Sequence, residues 1–245
     1  MLKGSTVREK TPGAKLSLSI GVIVASLILS VSLYASIERF KQFDRVVSVK
    51  GLAEQEHIAD IVIWPIQFVS ASNDLEDLYL QMEKNTDKIR AYLLLNGLTE
   101  EELSQSAPAI NDRSAQQYGS NTRNEYRYTA QQTVTVYSKR IEEVRSLMSS
   151  LSVLGKQGIV FVGNSYQSQT EFLFDRLNDI KPGMIEEATK NAREVAQKFA
   201  QDSNSELGKI KRASQGQFSI RERDKNNPHI KKIRVVTTVE YYLSD

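Results

Sequence analysis

The sequence predicts an α+β protein, with an N-terminal transmembrane helix followed by mainly antiparallel sheets with three packed helices. A run of 22 uncharged residues near the N-terminus predicts the transmembrane helix. The rest of the chain alternates segments of period-two hydrophobicity, typical of strands, with segments of helical period. The predicted strands come in neighbouring pairs joined by short polar turns, and this arrangement favours antiparallel sheets.

The composition is that of a globular protein with a basic leader. The chain has 245 residues, of which 40% are hydrophobic and 25% charged, and no cysteine. The absence of cysteine excludes disulfides, thiolate metal sites and cysteine nucleophiles. Of the net charge of +2, residues 1–37 carry +3 and the remaining residues −1. A nearly neutral body gives no reason to expect nucleic acid as a partner.

Residues 16–37, LSLSIGVIVASLILSVSLYASI, are predicted to be a transmembrane signal anchor, preceded by a basic cytoplasmic leader, residues 1–15. As a helix this run would be about 33 Å long, enough for the hydrocarbon core of a bilayer. A cleavable signal peptide is the alternative, because the basic leader resembles an n-region. The long apolar run and the poor small-x-small cleavage motif favour the uncleaved anchor.

Basic residues flank this segment on both sides, so the positive-inside rule gives a nearly balanced count. The short leader and the large body favour a cytoplasmic N-terminus. We therefore expect a single-pass protein of the inner (cytoplasmic) membrane with its body on the periplasmic side. Residues 38–45 would form a juxtamembrane connector, and residues 46–243 the α+β body.

The body begins with two predicted strands and a helix. The first strand starts at Val46, and a second, more apolar strand starts at Ile58 after a polar turn. Pro65 cannot donate to a strand ladder, so we expect a bulge or a sheet edge there. A helix follows from Asn73, which has a capping-box spacing to Glu76, and ends at the pair 96–97, Asn-Gly.

The second half of the body repeats this alternation. A hairpin loop over 111–124 precedes a strand over 126–137, and a helix over 139–154 has Ser138 as its expected N-cap. A strand begins at Gly158, and its furthest expected end is Phe174. A third helix starts near Pro182, a favoured first-turn residue. Two strands, at about 208–221 and 230–243, close the chain.

Four segments in this order resemble the SIMPL-domain family of bacterial exported proteins. The residues that carry the likeness are, in chain order, Val47, Val49, Gly51 and Asp60 of the first hairpin, Leu95, Gly97, Glu101, Glu102 and Leu103 at the first helix end, the strand 158–167, and the Ala-rich segment 186–210. The likeness covers about 46–243. Pro65 and the apolar segment 172–183 depart from the family pattern.

The resemblance implies the function that we expect. SIMPL-like proteins are envelope proteins without an established catalytic site, loosely associated with stress responses, and some of them assemble into ring-shaped homo-oligomers. We therefore expect a non-enzymatic protein that self-assembles at the membrane. The alternatives are a monomeric module that binds an anionic envelope component and, least favoured, an enzyme of unrecognised type.

The sequence offers no catalytic, cofactor or metal site. His57 and His229 are the only histidines, and each is expected in a solvated turn or loop. Neither belongs to a cluster with metal-ligand spacing, and neither a nucleophile elbow nor a glycine-rich phosphate loop is found. The acidic run 100–102 is expected to be a charged turn. These patterns argue against an enzyme.

A basic C-terminal segment is the one unusual charge feature, and it is the candidate site for an anionic ligand. Its cations are Lys209, Lys211, Arg212, Arg221, Arg223, Lys225, Lys231, Lys232 and Arg234. They could attract the phosphates of lipid headgroups or another anionic polymer. Alternatively, they form a solvated face and pair with acids elsewhere on the body, such as Glu186, Glu187 and Glu194.

Overall fold

The structure, a computed structural model, describes residues 23–34, 45–115, 126–163 and 169–244. Residues 23–34 form helix α1. The other helices are α2 (Leu75–Leu95), α3 (Ile141–Ser150), α4 (Ser152–Gly155) and α5 (Leu177–Asp202). The strands are β1 (Val46–Ile58), β2 (Ile61–Ser72), β3 (Leu103–Gln105), β4 (Ala109–Asp112), β5 (Tyr128–Ser138), β6 (Val160–Phe161), β7 (Glu171–Leu173), β8 (Glu206–Gln215), β9 (Ser219–Glu222) and β10 (Ile230–Ser244). The α+β prediction is confirmed.

The chain divides into two compact units. Unit 1 contains residues up to Ala53, residues 185–216 and residues from Val236, and unit 2 contains residues 54–184 and 217–235. One sheet has the strand order β1-β10-β8, with β9 also paired to β10. The other has the order β3-β5-β2-β6, with β4 paired to β5 and β7 to β2. The strand pairs with a determined register are antiparallel, as predicted.

The core of unit 2 lies between α2 and the six-stranded sheet. Side chains of even residues on β2 and β5 point to α2, and the sheet's register fixes their pairing, with Trp64 opposite Val136 and Phe68 opposite Gln132. Large side chains fill this layer. The fully buried ones include Phe68, Ile66, Leu78, Met82, Ile89 and Leu93.

Pro65 lies within β2, in regular register with Thr135 of β5. On its other side, β7 pairs with residues 61–63 and β6 with residues 68–69, so Pro65 falls between the two. The carbonyl of Gln67 accepts a hydrogen bond from Val162 N. The backbone N–H and C=O groups of the odd-numbered residues of β2 therefore point away from β5. The N–H that Pro65 lacks would have pointed away from β5, so no hydrogen bond between β2 and β5 is lost. The predicted sheet edge exists only here, where β2 has no partner among the described residues between β7 and β6.

Two predicted helix starts are shifted. The N-cap of α2 is Asp74, whose carboxylate accepts from Asp77 N at 2.9 Å, while Asn73 instead accepts from Arg127 N. The helix ends as predicted, with Asn96 as its C-cap and Gly97 at φ 97°. The predicted helix over 139–154 is divided into α3 and α4, and Ser138 accepts from Arg140 N just before it begins.

Helix α5 begins at Leu177, and the prediction of a start near Pro182 is wrong because Pro182 lies inside the helix. The carboxylate of Asp60 accepts from the backbone N of Asp175 and of Arg176, at 2.8 and 3.1 Å. Asp60 thus fixes the chain immediately before the helix and sets its start independently of the proline.

In unit 1, α5 packs on its sheet through small residues. The buried residues of this face are Ala188, Ala192, Ala196 and Ala200, spaced four apart. A Cβ placed on Gly51 of β1 would lie 1.8 Å from the carbonyl oxygen of Ala188, so only glycine permits this approach. Nearby, Asn191 donates from Nδ2 to the carbonyl of Leu52 at 2.8 Å. The helix therefore lies closely over β1.

The long strands predicted after Gly158 and at 208–221 are each interrupted. The first is reduced to β6 and β7, and the second is divided into β8 and β9. Among the described residues, no helix combines the length and apolar character needed to cross a membrane. The predicted span 16–37 is described only over 23–34; the leader 1–15 and the connector, except Arg45, lie outside the described residues, as does most of the predicted loop 111–124.

Candidate functional site

The loop between β9 and β10 is held by Asp224. Its Oδ1 accepts from the backbone N of Asn226 and of Asn227, each at 2.9 Å, and its Oδ2 accepts from Arg223 Nε at 2.9 Å. The bond from Arg223, followed by the Asn227 amide, lowers the pKa of Asp224 to about 2. The turn is therefore kept in shape by an ionised carboxylate.

The two strands place cations on one face. In their register Lys232 is directly opposite Arg221, and Arg234 is opposite Ser219. Side chains alternate along a strand, so Lys232 and Arg234 share the face opposite to buried Ile233. The backbone N of Arg223 donates to Ile230, which extends the register and places Arg223 on the same face as Arg221. We call these four residues, Arg221, Arg223, Lys232 and Arg234, the basic face.

Acids of β1 neutralise only part of the basic face. Lys232 Nζ lies 2.5 Å from Glu54 Oε1, and Arg223 NH1 lies 3.8 Å from Glu56 Oε2, while Arg223 Nε is also paired with Asp224 of the loop. Within the part of the chain that the structure describes, neither Arg221 nor Arg234 has an acidic partner. Lys232 and Arg221 are like charges directly opposite each other, a destabilising arrangement that the carboxylate of Glu54 offsets only in part.

The other predicted cations lie elsewhere. The side chain of Lys231 points to the side of β10 opposite to the basic face and is buried, with its Nζ 3.4 Å from Glu222 Oε1. Lys225 is exposed in the loop. Residues 209, 211 and 212 belong to β8 in unit 1, where Arg212 is opposite Glu240 and Lys211 Nζ lies 5.5 Å from the ring centroid of Tyr242. The structure thus brings four of the nine residues onto one face of unit 2.

Within the described part of the chain, neither histidine belongs to a group of side chains that could hold a metal ion. His57 lies in β1, not in a turn, with Nε2 3.1 Å from Gln55 Oε1. His229 is only 5% exposed, and its ring packs edge-to-face with the ring of Phe172, with the two ring centroids 5.9 Å apart. The expectation that His229 is a solvated loop residue is therefore wrong. Burial, followed by the charge of Arg145, lowers the pKa of His229. A backbone bond from Ala59 N to its carbonyl draws this part of the loop inward.

Two carboxylate–guanidinium pairs join separate segments of unit 2. Asp60 binds Arg176, with Oδ1 2.5 Å from Nε. Glu102 binds Arg140 and also accepts from Ser138 Oγ at 2.6 Å and from Thr99 N at 2.9 Å. The predicted charged turn at 100–102 is a 3₁₀ turn. A cleft of about 680 Å³ lies beside Asp60, Arg140 and Arg176.

Burial by itself would raise the pKa of Glu102, but the hydrogen bonds from Arg140, Ser138 and Thr99 lower it to about 2. Among the described residues, no group of three His, Asp or Glu side chains is placed to hold a metal ion. Sequence reasoning identified the cations of the basic face but missed Glu54 and Glu56. The sequence predicted a polar turn before Ile58, whereas β1 continues to Ile58 and carries both acids.

A sequence model of one protein family, described as "SIMPL: Protein of unknown function (DUF541)", matches residues 47–240. The matched range is almost the whole of the body. No curated protein matches the chain.

Proposed function

The chain belongs to the SIMPL family, and from that premise we propose that it is a non-enzymatic scaffold of the inner membrane. In this proposal residues 16–37 anchor the chain, and the body self-associates on the periplasmic side in an envelope or stress function. Self-association is the central part of the proposal, and it is supported by the difference between the two outer strands of unit 1.

The anchor is supported by the side chains of α1. Its large apolar residues, among them Ile28, Leu29 and Val31, are exposed, and lipid is a more favourable environment for them than water. The hydroxyls of Ser26 and Ser30 donate to backbone carbonyls of the helix at 2.8 Å. These serines are therefore compatible with a lipid environment.

Strand β8 has the features that natural edge strands use against pairing with another chain. It carries three cations, Lys209, Lys211 and Arg212. Its register with β10 shifts twice, between Glu240 and Tyr241 and between Tyr241 and Leu243. Charge and irregularity both disfavour the addition of a further strand. We do not place the contact between copies at β8.

The part of β1 that belongs to unit 1, residues 46–53, has less of this protection. The carbonyl of Arg45 accepts from Leu243 N, so the backbone groups of residues 46, 48 and 50 point away from β10. The segment 46–53 contains no proline and has Lys50 as its only charge. An edge of this kind is suited to pairing with another strand.

Helix α5 places apolar side chains beside this edge. Asn191 reaches the carbonyl of Leu52, and Val195 and Phe199 follow at helical spacings of four and eight residues on the same side of the helix. Their exposed fractions are 39% and 55%. The exposed β1 backbone together with these two side chains, here called the β1 edge, is the observation that carries the proposal of self-association.

Two β1 edges related by a two-fold axis give a dimer. The family resemblance implies a ring. A ring forms if this two-fold contact alternates with a second contact between copies, or if a head-to-tail contact takes its place. Each copy brings one proposed anchor, so assembly multiplies attachment to the membrane. The number of subunits therefore distinguishes a simple dimer from a ring.

The test is the mass of the full chain extracted in mild detergent. We expect an oligomer at micromolar concentration, which Phe199→Glu reduces to smaller species. Ser48→Pro should act in the same direction, because it removes an N–H that points to the free edge. Ile210→Glu changes an equally exposed apolar residue on β8 and is the matched control. A monomeric wild-type chain would refute self-association.

The anchor has a separate test in membrane fractions. The chain should stay with the bilayer after alkaline carbonate extraction, and protease added to spheroplasts should digest the body. A chain released by carbonate, or a body protected from protease in spheroplasts, would contradict the anchor or its orientation.

A further inference from the structure

We propose that the basic face of unit 2 binds the phosphate groups of an anionic membrane surface. The proposal rests on the membrane anchor of the proposed function, but it does not depend on self-association. It assigns a ligand to four residues: Arg221, Arg223, Lys232 and Arg234.

The charge arrangement on the two strands is the first argument. Arg221 and Lys232 are directly opposite in the register, and Arg234 is on the same face two residues further along β10. Like charges in these positions repel each other in the folded protein. Glu54 offsets the charge of Lys232, and Asp224 and Glu56 offset that of Arg223. Arg221 and Arg234 are left without an acid among the described residues. A bound anion removes this repulsion.

The shape of the surface is the second argument. The four side chains project from the face of a β-hairpin, and those of Arg223 and Lys232 keep 35% and 42% of their surface exposed. Directly opposite strand residues are about 5 Å apart and diagonal ones about 7–8 Å apart. An open row of cations at these distances suits many phosphates in one plane, whereas a single small phosphate ligand is bound in a concave site.

Guanidinium groups also suit phosphate chemically. Three of the four residues are arginines, whose planar fork donates two parallel hydrogen bonds to a phosphate. Each cation near an anionic bilayer contributes modestly, so a free domain with this face would bind weakly. A chain held at the bilayer by an anchor has a high effective concentration of lipid, and the weak contact then becomes sufficient.

The experiment uses the full chain reconstituted into vesicles. Because the chain has no cysteine, Asn226→Cys in the loop beside the basic face gives one site for a fluorophore. Phosphatidylcholine vesicles are compared with vesicles that also contain phosphatidylglycerol, and both carry a trace of a lipid with a headgroup quencher. We expect quenching only with phosphatidylglycerol, and it should weaken as salt is raised.

The double variant Arg221→Gln/Arg234→Gln should lower the ratio of membrane-bound to free basic face by about 30-fold. This factor corresponds to the loss of two cations, each of which contributes about 1 kcal/mol near an anionic membrane. The control pair Lys190→Gln/Lys198→Gln removes two exposed cations of α5 and should leave quenching unchanged. Unchanged Trp64 emission checks that both variants are folded.

Equal quenching in both kinds of vesicle, or an equal loss in the control pair, would overturn the proposal. Release of the face by millimolar inorganic phosphate would also overturn it, in favour of a soluble phosphate ligand. Failure of the proposed function gives different results. If the chain is monomeric but still quenched, only self-association is refuted. If carbonate extracts the chain from the membrane, binding of the basic face is measured instead by sedimentation of the chain with phosphatidylglycerol vesicles.

Discussion

The two units use opposite ways of packing a helix on a sheet. In unit 1, α5 contacts β1 through alanines and Gly51, so the backbones approach closely. In unit 2, α2 contacts its sheet through large side chains such as Leu78, Met82 and Leu93. The contact between α5 and β1 therefore has no room for an added atom at Gly51. The core of unit 2 depends instead on the volume of the side chains already present. The two cores should be sensitive to opposite kinds of substitution.

The largest effect is expected for enlargement in unit 1. In Gly51→Ala the new Cβ would lie 1.8 Å from Ala188 O and 2.5 Å from Ala192 N, both backbone atoms that cannot rotate away. We expect a loss of more than about 3 kcal/mol of unfolding free energy. Hydrogen exchange of residues 188–200 measures it. Gly183→Ala, where no atom lies within 4 Å, is the control and should be neutral or stabilising.

Truncation should have the corresponding effect in unit 2. Leu78 is 0% exposed, and Leu78→Ala should lower the free energy of unfolding by about 3 kcal/mol through lost burial and a cavity. Trp64, the only tryptophan, lies in the same core and reports urea unfolding by fluorescence. Leu95→Ala on the same helix removes a side chain that is 87% exposed and should cost less than about 0.5 kcal/mol. Similar losses for both leucines would contradict this account of the core.

Local sequence patterns predicted most elements of both units, but they placed a turn where β1 continues to Ile58 and did not give the contacts that set the limits of the elements. The end of α2 followed from Asn96-Gly97, because helix termination is a local property. The start of α5 did not, since Asp60 fixes it from 116 residues away. The basic face shows the same division. Its cations were visible as a run in the sequence, but Glu54 and Glu56 come from a distant strand whose register no local pattern gives.

An intermediate effect is expected from the ion pair that joins the end of α2 to the start of α3 in unit 2. Glu102 has a pKa of about 2 in the folded protein against 4.5 ordinarily. A lowered folded pKa adds stability above the unfolded value, and this stability is lost as the pH falls from 4.5 towards 2. Glu102→Gln should cost about 2 kcal/mol at neutral pH, allowing for partial solvent screening. It should also flatten the pH dependence of Trp64-monitored unfolding over that window.

The smallest expected effect is a gain, and it returns to unit 1. Tyr241 is buried against Ala192 and Ala196, and its hydroxyl has no hydrogen-bond partner among the described residues. A buried hydroxyl without a partner loses its hydration on folding and receives nothing in return. Tyr241→Phe keeps the ring, which the closely packed interface requires, and removes only the oxygen.

This variant should therefore be stabilised by about 1 kcal/mol, measured by hydrogen exchange across β10. Tyr242→Phe is the matched control, because the neighbouring tyrosine lies on the opposite face of the strand, beside Lys211. A loss of stability in Tyr241→Phe would mean that the hydroxyl has a partner in solution, such as a buried water. The helix–sheet interface of unit 1 would then contain a polar site rather than dry contacts between small residues.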